Sequence, residues 1–187
     1  MPKFIPFLIC FVLLTSCSKN QVFDRYKSIA DAGWHKDSII QFELNPVDTT
    51  SRNNLYVQLR NTKDYKYSNL FLIVGIDFPD ATRIVDTLEY EMADAEGHFL
   101  GSGLTDLKEN KLEYKTNVIF PKTGTYTVGI QHAMRRSGAV MGITNLEGIS
   151  DVGLRIEKVK EWTKQKKQQL PRLAYTRDGY GVYLFLG

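Results

Sequence analysis

Cys17 is the residue with the clearest chemistry to offer. It ends the run Leu14-Thr15-Ser16-Cys17, which follows an apolar stretch from Phe4 to Leu14 and the basic Lys3. A positive start, a short apolar segment and small residues before the cut form a secretory signal. A thiol at the first mature position can then carry a diacylglycerol group, so acylation of Cys17 is the predicted reaction. A membrane-spanning helix needs about 20 apolar residues, more than Phe4 to Leu14 supplies. Pro2, Pro6 and the switch to Ser18-Lys19-Asn20-Gln21 argue against a buried helix.

The other reactive side chains form no recognisable pattern. The only two cysteines are Cys10, inside the signal, and Cys17, so no intramolecular disulfide, thiol catalysis or Cys-based metal site is expected. His35, His98 and His132 lie in separate segments without metal-ligand spacing. Asp94-Ala95-Glu96-Gly97 lacks the alternating oxygens of a calcium loop and reads as a turn. Gly97 to Gly103 has no Lys-Ser/Thr to reach phosphates, and Gly148-Ile149-Ser150-Asp151-Val152 lacks the second glycine of a nucleophile elbow. Glu89 and Glu91 share one strand face, as solvent-facing residues do. No catalytic residue, metal ligand or cofactor is therefore assigned.

Composition sets wide bounds. Cleavage before Cys17 leaves 171 of the 187 residues, a usual size for one domain. The net charge is +3, or +2 once Lys3 is removed, too small to suggest nucleic acid as a partner. Aromatic residues make up 12%, including ten Tyr and ten Phe, which suits pleated strands.

The elements that must carry any site read as strands. Ile40, Phe42 and Leu44 alternate with polar neighbours, as do Leu55, Val57 and Leu59. Asn69 to Phe78 is apolar on both faces in its first half, which predicts a central strand covered on both sides. Further strands are expected at Arg83 to Met92, Leu112 to Phe120, Thr125 to His132 and Asp151 to Val159. Turn residues separate them at Asn45-Pro46, Pro79-Asp80, Ala95-Glu96-Gly97 and Pro121-Lys122-Thr123-Gly124. The prediction is an all-β fold, an antiparallel β-sandwich of about seven or eight strands, Ig-like or jelly-roll-like. Phe120 and Tyr126 are expected in the core and at a corner.

The predicted organisation is a signal peptide at 1–16, a lipidated tether at 17–37, the sandwich at 38–159 and a basic extension at 160–187. The extension is rich in Lys and Gln, is stopped by Pro171 and ends in the apolar run Tyr180 to Leu186. Two readings of it stay open: a solvated extension whose end packs on the domain, or addition of Val182 to Leu186 as a strand to a sheet edge. Lys164, Lys166 and Lys167 could meet an anionic membrane, although a solvated face is the commoner meaning of such a run.

Several short stretches in fixed order carry a family resemblance. They are Cys17 with Val22-Phe23-Asp24-Arg25-Tyr26, Trp34-His35-Lys36-Asp37, Asn54-Leu55-Tyr56-Val57 with Leu59-Arg60-Asn61, and Tyr67-Ser68-Asn69-Leu70-Phe71-Leu72. Asp86-Thr87-Leu88-Glu89-Tyr90, Met92-Ala93-Asp94, Gly97, Gly148-Ile149 and Asp151-Val152-Gly153 follow. Over residues 17–157 the chain resembles the GldH family of gliding-motility lipoproteins of the Bacteroidetes. The resemblance implies a cell-envelope lipoprotein of the gliding machinery, a system associated with type IX secretion, with no catalytic residues and with the acylated Cys17 as its one assigned site. Ser18 is not the aspartate of an inner-membrane retention signal, and no Lys-acidic-acidic export pattern follows. The implied location is the outer membrane, facing the periplasm.

Three functions compete. The first is a non-enzymatic lipoprotein that binds other envelope proteins and has no cofactor. The second is a lipid-anchored carbohydrate-binding sandwich, for which Trp34 and Trp162 would be the planar platforms. The third, an envelope hydrolase, would need a cleft holding a Ser or a carboxylate pair.

Overall fold

The computed structural model describes residues 20–159, apart from positions 31, 32, 47 and 104. These residues form ten strands: β1 (Gln21–Ser28), β2 (Trp34–His35), β3 (Ile40–Leu44), β4 (Asn53–Asn61), β5 (Asn69–Asp77), β6 (Arg83–Glu91), β7 (Lys108–Val118), β8 (Tyr126–His132), β9 (Asn145–Leu146) and β10 (Ile149–Lys158). Two four-stranded sheets run in the orders β1-β10-β4-β7 and β3-β8-β5-β6, while β2 and β9 form a separate short ladder. Every pairing is antiparallel.

The pairing order identifies the kind of sandwich. With the two-residue strands set aside, the first long strand pairs with the last, the second with the seventh, the third with the sixth and the fourth with the fifth. Those ladders alternate between the sheets, as they do when one long hairpin ribbon is rolled into a barrel-like sandwich. This is jelly-roll topology rather than the Ig arrangement.

The core follows from period-two alternation. Leu55, Val57 and Leu59 of β4 face inward, opposite Ile156, Leu154 and Val152 of β10. In the second sheet, Val74 and Ile76 stand opposite Ile130 and Val128. Phe120 and Tyr126 are buried with their rings edge-to-face at 5.1 Å. The Tyr126 hydroxyl donates to the Lys122 carbonyl at 3.0 Å and accepts from the Lys122 N–H at 3.1 Å, which closes the corner before β8.

Two expectations need correction. The predicted tether at 17–37 contains β1, paired with β10 except at an irregularity at Val22, and Trp34, which is 1% exposed. The sandwich therefore starts at Gln21 rather than at residue 38. The apolar signal of β1 is weak because Arg25 and Lys27 occupy inward positions at an open sheet edge. The second correction concerns β5, whose Leu70, Leu72 and Val74 are buried while Phe71 and Ile73 on the other face are only half-buried. No third layer covers the second sheet among the described residues. Cys17, the signal peptide and the extension at 160–187, with the strand addition of Val182 to Leu186, lie outside the described residues.

Candidate functional site

The most elaborated surface is the outer face of the first sheet. Strand alternation puts Asp24 and Tyr26 of β1, Gly153, Arg155 and Glu157 of β10, Tyr56, Gln58 and Arg60 of β4, and Glu109 and Lys111 of β7 on this face. Tyr26, Gly153, Gln58 and Lys111 stand in one cross-strand row. Gly153 has no side chain, so the Tyr26 ring lies flat over it. A Cβ at Gly153 would stand 2.8 Å from Tyr26 Cδ1.

From there the ring reaches two strands away. Its hydroxyl donates to Glu109 Oε1 on β7. The Arg60 guanidinium sits 4.0 Å from the ring centroid and 3.8 Å from Glu109 Oε1. Burial, and then the bond to Glu109, push the Tyr26 phenol well above its ordinary range, so it stays a neutral donor at physiological pH.

A second cluster continues the layer. Arg155 Nη1 donates to Asp24 Oδ2 at 2.7 Å, and Arg155 Nε donates to Glu157 Oε1 at 2.5 Å. Lys111 Nζ donates to both Glu157 oxygens at 2.9 Å and lies 4.0 Å from the Tyr56 ring centroid. Burial raises the Glu157 carboxyl, but Lys111 and Arg155 outweigh it and hold the group below its usual range. Beneath this layer Gln58 is 4% exposed, and its Oε1 has no hydrogen-bond partner among the described residues.

The residues singled out for other chemistry are apart from this face and from one another. His132 is buried; its Nε2 lies 2.9 Å from the Trp34 carbonyl, its Nδ1 accepts from the Met134 N–H at 3.4 Å, and its ring meets Trp34 edge-on at 5.4 Å. His35 is exposed, and His98 is an exposed partner of Asp94 at 3.3 Å. Asp94 accepts the N–H groups of Glu96 and His98, the geometry of a turn. Gly148 has a φ of +82°, and a Cβ there would stand 2.1 Å from the Tyr65 nitrogen, so this glycine is required by a backbone crossing. Among the described residues no group of three or more His, Cys, Asp and Glu is placed to hold a metal ion.

The aromatic rings bear on the carbohydrate alternative. Trp34 is in the core, Trp162 lies outside the described residues, and no described aromatic ring is fully exposed. Tyr26 and Tyr56 are the rings nearest to a platform, and cations cover both. Sequence reading passed over this face because its residues come from four strands and look, strand by strand, like an ordinary solvated side.

A jelly-roll domain with one cross-linked Tyr/Arg/carboxylate face defines the class as an all-β sandwich domain. Residues 21–156 match the family model described as GldH lipoprotein. The chain is 52% identical over 152 residues to the "Gliding motility lipoprotein GldH homolog" of Christiangramia forsetii, covering 81% of this chain and 93% of that protein. It is 50% identical over 151 residues to the "Gliding motility lipoprotein GldH" of Flavobacterium johnsoniae, with the same coverage of 81% and 93%. The protein belongs to the GldH lipoprotein family. Among solved structures, the VP2 subviral particle of infectious bursal disease virus aligns at a TM-score of 0.31 and 17% identity, covering 74% of this chain. The chain spans only 33% of that VP2 chain.

Proposed function

We propose that this protein is a non-enzymatic cell-envelope lipoprotein, anchored through acylated Cys17, that acts by binding other envelope proteins of a gliding or type IX secretion complex. The outer face of the first sheet is the binding surface. The observation that carries the reading is the concentration there of residues from the family-like stretches. Asp24 and Tyr26, Tyr56 and Arg60, and Gly153 come from three separate segments and meet on one sheet face. Tyrosine and arginine are the side chains that most often dominate protein interfaces. Ion pairs hold the arginines, and cation–π contacts with the Tyr26–Glu109 hydrogen bond hold the tyrosines, which lowers the entropy cost of docking. The proposed location is the outer membrane, facing the periplasm, as the Ser18 position and the family likeness suggest.

In vivo crosslinking from native membranes tests this reading. Wild-type protein is expected to capture envelope components, and Arg60→Glu, or Tyr26→Ala with Arg60→Ala, to lose them while the domain stays folded. Recovery as an isolated species, together with a deletion strain that glides and secretes normally, would refute it. Cys17→Ala is expected to abolish incorporation of a labelled acyl chain into the protein.

A further inference from the structure

We infer that the open side of the sandwich between β1 and β3 is a second functional surface, one that lies against anionic phospholipid headgroups. The two sheets end on this side in the edge strands β1 and β3. Between them runs a groove in two joined parts of about 400 and 530 Å³, which share Phe23, Arg25 and Glu43. The aromatic floor is Phe23 and Phe42, edge-to-face at 6.3 Å.

Two cations stand over that floor. The Arg25 guanidinium carbon is 5.4 Å from the Phe23 centroid, and Lys27 Nζ is 5.8 Å from the Phe42 centroid. Both residues are exposed, and neither makes an ion pair among the described residues. The contrast is sharp, because Arg60, Lys111 and Arg155 on the adjoining sheet face are all paired. Glu43 is the single carboxylate lining the groove, so the surface calls for added negative charge.

Strand addition is the obvious competing use of a sheet edge. Charged residues pointing inward from an edge strand oppose it, and Arg25 and Lys27 do so on β1. A headgroup layer has no such difficulty, because phosphates reach the cations while the glycerol region meets Val22, which is 48% exposed. Position favours the same partner. Asn20, whose carbonyl accepts the Lys158 N–H at 2.8 Å, immediately precedes β1 and lies three residues after Cys17. Three residues reach about 11 Å at most, so a chain held by Cys17 keeps this groove near the bilayer surface.

The test uses the chain from residue 17 onward with Cys17→Ala, sedimented with phosphatidylcholine vesicles with and without phosphatidylglycerol. No acyl group is present, so the outcome is independent of whether Cys17 is modified. Binding is expected only with phosphatidylglycerol. Each Lys or Arg near an anionic surface is worth about a five-fold change in affinity, so Arg25→Gln with Lys27→Gln should weaken binding roughly thirty-fold. Both positions are exposed, and an unchanged thermal transition verifies that the variant folds. Neutralising Lys164, Lys166 and Lys167 of the extension should leave most of the binding in place. Wild-type failure to bind, undiminished binding by the groove variant, or binding that depends on the extension alone would each overturn the inference. In the last case the basic extension, rather than the groove, would be the membrane contact.

Discussion

The two outer sheet faces of this jelly roll differ in how they treat their glycines. On the first sheet, Gly153 lies under the Tyr26 ring, and the strands around it are tied by Arg60, Glu109, Arg155, Asp24, Glu157 and Lys111. On the second sheet, Gly75 and Gly129 are direct cross-strand partners with no ring laid over either. The nearest side-chain atoms to them are the guanidinium end of Arg83 and the Ile39 Cγ2 methyl. Among the described residues the one ion pair across this face, Arg83 with Asp77, is 3.5 Å long and exposed. The organised polar layer on the first sheet thus sets its outer face apart from that of the second.

The contrast can be broken most directly at the glycines. Gly153→Val should cost about 1–3 kcal/mol by forcing Tyr26 off the sheet, whereas Gly75→Ala should be near neutral, since Arg83 can move aside. Chemical denaturation of both variants measures the difference, and equal losses would remove the distinction between the faces. Arg155→Ala should cost about 1–2 kcal/mol, because it leaves Asp24 without its ion-pair partner in a partly buried setting and Glu157 with Lys111 alone, with solvent screening tempering the loss. Its counterpart Arg83→Ala should stay within about 0.5 kcal/mol. Tyr26→Phe keeps the ring over Gly153 and removes only the bond to Glu109, for about 1 kcal/mol. Gln58→Leu is expected to be neutral or stabilising by up to about 1 kcal/mol, since it removes an acceptor buried without a partner.

Acid should sharpen the comparison. Glu157 is held below its ordinary range, so its contribution is whole above the usual glutamate range and is lost as pH falls through it. Arg155→Ala should reduce that loss, with Lys111 keeping the remainder. His132 acts at higher pH and away from both faces. Burial pushes its imidazole down, so the unfolded chain takes up a proton near pH ~6.5 that the folded chain refuses. Stability is then intact above that value and declines as pH drops below it. His132→Gln should abolish this step in a pH series of thermal unfolding and leave the Glu157 step unchanged.

Legibility in the sequence varied by element. β4, β5, β8 and β10 were readable because each carries an inward apolar residue at every second position, and their turns hold Pro, Gly or Asp. β1 was not, since its inward positions after Phe23 are Arg25 and Lys27 at the sandwich opening, where burial no longer demands apolar residues. Trp34 falls within the predicted tether because β2, its own two-residue strand, is too short for any periodicity. The face built by Tyr26, Arg60 and Glu109 had no local signal at all, as those residues lie on three strands.

By itself the sequence determined which residues of the long apolar strands face the core, because alternation along a strand is a local property, and it predicts lipid attachment at Cys17. The family likeness was also carried in the linear order of its short motifs. Only the tertiary structure decided strand partners: β1 pairs with β10 across more than 120 residues, with Tyr26 opposite Gly153. That closure separates a jelly roll from an Ig sandwich and assembles the polar face. The physical reason is that a period of two specifies the side a residue points to, while the partner strand is chosen by closure of the whole ribbon.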